Sequence, residues 1–172
     1  MTAEARAHVP GAVLFTCNFN RVRSPMAEAL FKLMLGRDVF VDSCGLNHAA
    51  AEADDEAVDE IQADPFVGVV MAEVGYQLIH HRAKTFDELE DSSFDLVISL
   101  TPESQSRAAE LARRRAADIE FWPTPDPTLV EGSREVRLAA YRQVRDELAQ
   151  RIAERFGAPI PVPIDLAPRG AL

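Results

Sequence analysis

The chain has 172 residues, 47% hydrophobic and 27% charged, which are the proportions of an ordinary globular protein and enough length for one domain with its own core. A net charge of −10 argues against a nucleic-acid partner, because a polyanion rewards a basic surface. No apolar run approaches the roughly 20 residues that cross a bilayer, and Met1-Thr2-Ala3-Glu4-Ala5-Arg6 lacks the apolar stretch of a secretory signal, so no membrane partner is expected.

Two cysteines, Cys17 and Cys44, provide neither a disulfide framework nor a metal-ligand spacing, and the expected setting is a reducing cytoplasm. Residues 1–10 read as a flexible lead-in, 11–156 as the folded domain and 157–172 as a proline-rich tail.

The first strand is predicted over residues 12–16, and the loop Cys17-Asn18-Phe19-Asn20-Arg21-Val22-Arg23-Ser24-Pro25 follows it directly. Met26-Ala27-Glu28-Ala29-Leu30-Phe31 then has helical periodicity, so the loop runs from a strand exit to a helix start. That arrangement suits a phosphate. Backbone N–H groups of such a loop can converge on an anion, and the helix N-terminus adds partial positive charge. Arg23 can hold two phosphate oxygens with its planar fork. The same positive field favours a nucleophilic thiolate at Cys17. Ser24 is expected to cap the helix and to offer its hydroxyl to the Cys17 sulfur, and Pro25 fits the first turn. Asn18, Phe19, Asn20, Arg21, Val22 and Ser24 are thus candidate substrate-binding positions. The competing reading makes Cys17 a buried strand-end thiol and Arg23 a surface charge. It leaves the strand, Ser-Pro and helix context unexplained.

Gly36 should stop the first helix, and residues 39–43 read as a second strand, parallel to the first through a right-handed crossover. Residues 47–63 are acidic and poor in large apolar side chains. They read as a solvated loop or frayed helix or, alternatively, as a rim that screens substrates by charge. Asp64-Pro65 starts a second helix with Phe66, Val67, Val70, Met71 and Val74 as its core stripe, ended by Gly75. His80 and His81 are adjacent, but no carboxylate or cysteine stands at metal-ligand spacing from them, and no metal is assigned.

A short helical turn at 86–89 precedes the clearest strand, residues 94–100, which is nearly continuous in apolar residues as a buried parallel strand should be. A third helix runs from Thr101 to about Ala117, with Arg113, Arg114 and Arg115 complementing its C-terminal dipole. The fourth strand is 119–122. Pro123-Thr124-Pro125-Asp126-Pro127-Thr128 is a loop stiffened by three prolines. Asp-Pro is a common turn former, yet functional loops of parallel sheets lie at the carboxyl ends of strands, where both Cys17 and Asp126 fall. A long amphipathic helix over about 133–156 ends at Gly157, and the tail beyond is extended or disordered. Four strands alternating with helices predict a doubly wound α/β fold, a four-stranded parallel sheet with helices on both faces.

The segment Val13 to Cys17, with Arg23-Ser24-Pro25-Met26-Ala27-Glu28, resembles the signature of the low-molecular-weight protein tyrosine phosphatases, a family that includes thioredoxin-coupled arsenate reductases. The similarity continues through Asp42-Ser43-Cys44-Gly45, His81-Arg82-Ala83-Lys84, Phe94 to Ile98 and Asp126-Pro127, covering most of 11–156. The resemblance implies strand order 2-1-3-4, with Cys17 as nucleophile, Arg23 as phosphate ligand and Asp126 as general acid. It implies a left-handed Asn20 bonded by Ser43, and His81 in a polar network behind the loop. The implied substrate is a phosphorylated protein or small aryl phosphate, the product is inorganic phosphate, and neither metal nor organic cofactor is needed. Three departures stand out. Phe19 replaces a loop glycine, Val22 replaces a second loop cysteine that would protect Cys17 from oxidation, and Thr128-Leu129 replaces an aromatic wall. Arsenate reduction in this branch uses two further downstream cysteines, and none follows Cys44. The remaining alternative is a phosphate- or phosphoprotein-binding module without turnover.

Overall fold

The computed structural model describes residues 9–49, 62–90 and 93–164. Most of the expected lead-in, the acidic stretch over 50–61 and the last eight residues of the tail lie outside the described residues.

Four parallel strands, β1 (Ala12–Cys17), β2 (Phe40–Gly45), β3 (Leu96–Ser99) and β4 (Asp118–Phe121), form one sheet in the order β2-β1-β3-β4. The expected doubly wound order 2-1-3-4 is therefore borne out. Side-chain alternation sorts each central strand onto two layers. Val13, Phe15, Leu96 and Ile98 face a core shared with α1 (Arg23–Leu35), α2 (Pro65–Ala72) and α4 (Arg134–Phe156). Leu14 and Val97 face a smaller one with Cys44, Phe94 and Ala108 of α3 (Pro102–Arg115). Strands with no polar face need helices on both sides, and the chain supplies them.

Boundaries follow local chemistry. Gly36 caps α1 with its N–H on the Lys32 carbonyl, and Gly157 caps α4 in a left-handed conformation. The Asp64 and Thr101 side chains cap α2 and α3, each with a proline just inside. Ser24 corrects an expectation. Val22 holds the N-cap position of α1, and Ser24 lies inside the first turn with its hydroxyl turned inward. The tail through residue 164 has no regular structure, but the Ile164 amide donates to the Glu73 carbonyl at 2.7 Å, tying it to the end of α2.

Candidate active site

Because all four strands are parallel, the loops after β1, β3 and β4 leave the same edge of the sheet. Cys17 is the last residue of β1, and the amides of Leu46 and Asn47 donate to the carbonyls of Cys17 and Asn18. The chain after β4 is tied to β3 by the Thr124 amide on the Leu100 carbonyl at 3.0 Å. That tie carries Asp126 back over the start of α1. Arg23 Nη1 donates to the Thr124 carbonyl at 3.1 Å, and its Nη2 stands 3.8 Å from Asp126 Oδ2. A cavity of about 260 Å³ opens between the two loops, with Cys17, Phe19, Arg21, Arg23, Asp64 and Asp126 in its wall. Val22, Ala49 and Thr128 complete the lining.

Cys17 is 3% exposed, and its sulfur lies 2.9 Å from the Ser24 hydroxyl. Ser24 Oγ accepts from Asn20 Nδ2 at 2.8 Å, and its own proton has two acceptors within reach, the sulfur at 2.9 Å and the Cys44 carbonyl at 3.4 Å. Asp126 is held differently. Its Oδ1 accepts from both the Thr128 amide at 3.0 Å and the Thr128 hydroxyl at 2.7 Å, which leaves Oδ2 facing Arg23 and the cavity. The turn chemistry of Asp-Pro and the placement beside Arg23 thus coexist in one carboxylate.

Behind the loop lies a buried polar network centred on Asn20, which is fully buried with φ of 56°. Asparagine enters this left-handed region more easily than most residues. Its amide group donates to Ser24 and Ser43, its Oδ1 accepts from the Lys84 amide, and its carbonyl accepts from His81 Nε2 at 2.9 Å. Ser43 passes its proton on to Glu28 Oε1, and Glu28 pairs with Lys32. The side-chain amide, its oxygen and the backbone carbonyl of Asn20 are all engaged, which fixes the loop in one shape.

Of the other candidates from the sequence, Asn18 offers its carbonyl to Asn47 and does not reach the cavity wall. Phe19 is 47% exposed at the mouth. Arg21 is anchored to the segment after 61, its Nε donating to the Gln62 carbonyl and its own carbonyl accepting from the Asp64 amide. Val22 packs partly into the main core. Asp64, Glu28 and Thr128 were not singled out for the site. Asp64 looked only like a helix cap. It is one, but its Oδ2 also accepts from the Tyr141 hydroxyl while the residue borders the cavity. Burial raises the Tyr141 hydroxyl well above its ordinary value, so it stays a donor.

Burial also holds His81 below its ordinary value of 6.5, against a smaller opposing pull from its bond to Asn20. The folded state therefore binds this proton more weakly than the unfolded chain. The stability at stake is complete above the unfolded value near 6.5 and is lost as pH falls toward the lower folded value. Urea unfolding at pH 7.5 and 5.5 should show the wild type weakening on acidification. His81→Gln, whose amide can donate to Asn20 without titrating, should show a smaller drop.

Cys44 pairs in register with Thr16, so its thiol lies in the Leu14 and Val97 layer, on the other face of the sheet from Cys17. Burial pushes this thiol well above its ordinary value. A disulfide between the two would require the strand ends to come apart. Peroxide should accordingly take Cys17 beyond sulfenic acid to sulfinic and sulfonic acids, seen as successive oxygen additions by mass spectrometry. A dominant Cys17–Cys44 disulfide reversed by dithiothreitol is the contrary result.

Residues 12–157 match the family model of the low molecular weight phosphotyrosine protein phosphatases. A low molecular weight protein-tyrosine-phosphatase of Streptomyces coelicolor is 34% identical over 130 residues, 72% of this chain and 74% of that protein. An arsenate reductase of Halalkalibacterium halodurans is 30% identical over 142 residues, 81% of this chain and 91% of its own length. Among solved structures, the YwlE arginine phosphatase from Geobacillus stearothermophilus superposes with a TM-score of 0.64, covering 86% of this chain and 94% of that one. At 23% identity this is a likeness of fold.

Proposed function

From the premise that this chain belongs to the low molecular weight phosphotyrosine protein phosphatase family, we propose that it hydrolyses aryl phosphate monoesters, phosphotyrosine in proteins among them, through a phosphate ester of Cys17. One observation carries the reading: a thiol, a guanidinium and a carboxyl from two loops distant in sequence border the same cavity.

The Cys17 sulfur attacks phosphorus in line, and the bond from phosphorus to the aryl oxygen breaks. Arg23, released from Thr124 by a small rotation, takes two phosphoryl oxygens in its fork and offsets the charge of the transition state. Asp126 gives its proton to the departing phenolate from Oδ2, because Oδ1 is occupied by Thr128. The carboxylate so formed takes a proton from water, which attacks phosphorus. The sulfur–phosphorus bond breaks, the Ser24 hydroxyl donates to the returning thiolate, and inorganic phosphate leaves. Asn20, Ser43 and His81 act through the loop's shape.

The relative from Halalkalibacterium halodurans is an arsenate reductase, and that activity is the competing reading here. It is disfavoured because no cysteine follows Cys44 and Cys44 lies across the sheet from Cys17. Phosphate release from phenyl phosphate and from phosphotyrosine peptides, beside thiol-dependent reduction of arsenate, decides between them. Turnover of the esters without arsenite formation supports the proposal. Arsenite formation without ester turnover overturns it, and phosphate binding without either reaction indicates a binding module.

A further inference from the structure

Gly45 ends β2 in register with Cys17 and is buried, and the phosphate loop folds directly over its α-carbon. A β-carbon built there would stand 2.7 Å from the Asn20 nitrogen, 2.8 Å from the Phe19 carbonyl carbon and 2.9 Å from the Asn18 carbonyl oxygen. All three are backbone atoms of one loop, so no flexible side chain can yield. Ordinary contact begins near 3.4 Å, so the loop would have to rise by roughly 0.7 Å at Asn20. Gly45 itself is held on both sides. Cys17 pairs it within the sheet, and its amide donates to the Lys84 carbonyl at 2.8 Å in a bridge with Thr85.

We infer that Gly45 is a positioning residue for phosphate transfer: its missing side chain sets the depth at which the loop carrying Cys17 and Arg23 sits. The inference rests on the phosphatase reading above. The loop has little room to accommodate a methyl group by other means. Asn20 is bonded to Ser24, Ser43, Lys84 and His81, and lifting it strains all four bonds together. A displacement of about 1 Å at groups that must converge on a phosphoryl group can cost on the order of 10²-fold in rate.

Gly68 on α2 provides the control, since a β-carbon there meets nothing within 4 Å. In the wild type, turnover of phenyl phosphate tests the phosphatase reading by itself. Given turnover, Gly45→Ala should lower kcat by on the order of 10²-fold and weaken inhibition by inorganic phosphate. The ratio of rates on phenyl and nitrophenyl phosphate should not change, because Asp126 is untouched. Gly68→Ala should keep all three quantities. Alkylation of Cys17, followed under conditions where circular dichroism shows the variant folded, gives a second readout that does not depend on turnover. The wild-type preference for anionic iodoacetate over neutral iodoacetamide should shrink in Gly45→Ala. Unchanged kcat, phosphate inhibition and alkylation preference overturn the inference. A Gly45→Ala chain that does not fold overturns it too, since the strain would then lie in the sheet and not in the loop.

Discussion

Replacing Cys17 with serine is expected to lower turnover of phenyl phosphate by at least about 10⁴-fold while leaving inorganic phosphate able to bind. Serine keeps the size of the side chain and its contact with Ser24, so the loop and the Asn20 network behind it have no reason to shift. What is lost is the thiolate, since a serine hydroxyl at neutral pH is a poor nucleophile without a base beside it. Among the described residues no histidine borders the cavity, and the Asp64 carboxylate is engaged by the Phe66 amide and the Tyr141 hydroxyl. Asp126 in its proposed role holds the proton for the leaving group and so is not a base in that step. Cys44→Ser provides the contrast. Cys44 lies across the sheet in an apolar layer, so its effect should fall on stability and not on kcat. Residual turnover of more than a few per cent in Cys17→Ser would place the nucleophile elsewhere.

Asp126→Asn should show a loss that depends on the leaving group. A general acid typically contributes about 10²–10⁴-fold, and it matters in proportion to the basicity of the group it protonates. Phenolate from phenyl phosphate is strongly basic, and the variant should lose most of that factor. Nitrophenolate hardly needs a proton, and its loss should be smaller by ten-fold or more. Asparagine can still accept from the Thr128 amide and hydroxyl through its oxygen, so the 3₁₀ turn Pro127–Leu129 should survive. Equal slowing on both esters would make Asp126 a structural residue of that turn.

The parts of this molecule legible in its sequence are those written in contiguous residues. The strand, loop and helix around Cys17 announce themselves because each element adjoins the next, and the sheet order followed from the resemblance. Asp126 was readable as a candidate because a fourth strand precedes it and three prolines stiffen its loop. Ser24 was misplaced as a cap for a physical reason. A serine before a helix has two uses for its hydroxyl, and the buried Asn20 amide and Cys17 sulfur claimed it from the backbone. Asp64, Glu28 and Gly45 carry no local sign of their places. Each is defined by a contact across 15 or more residues of chain: Asp64 with Tyr141, Glu28 with Ser43, Gly45 with the loop beneath Asn20. Thr128, read in the sequence only as part of the departure from an aromatic wall, also supplies the two donors that hold the Asp126 carboxylate.

The central claim is a covalent phosphate on Cys17, and the Asp126→Asn variant is the material in which to catch it. With nitrophenyl phosphate the first displacement barely needs a proton, whereas the second has lost the group that takes one from water, so the intermediate should accumulate. Mixing, stopping the reaction in denaturant within milliseconds and mapping the digest by mass spectrometry should find up to one phosphoryl group per chain, on the peptide carrying Cys17. A phosphoryl group on any other residue, or a variant that releases nitrophenolate steadily with no label on Cys17, contradicts the account.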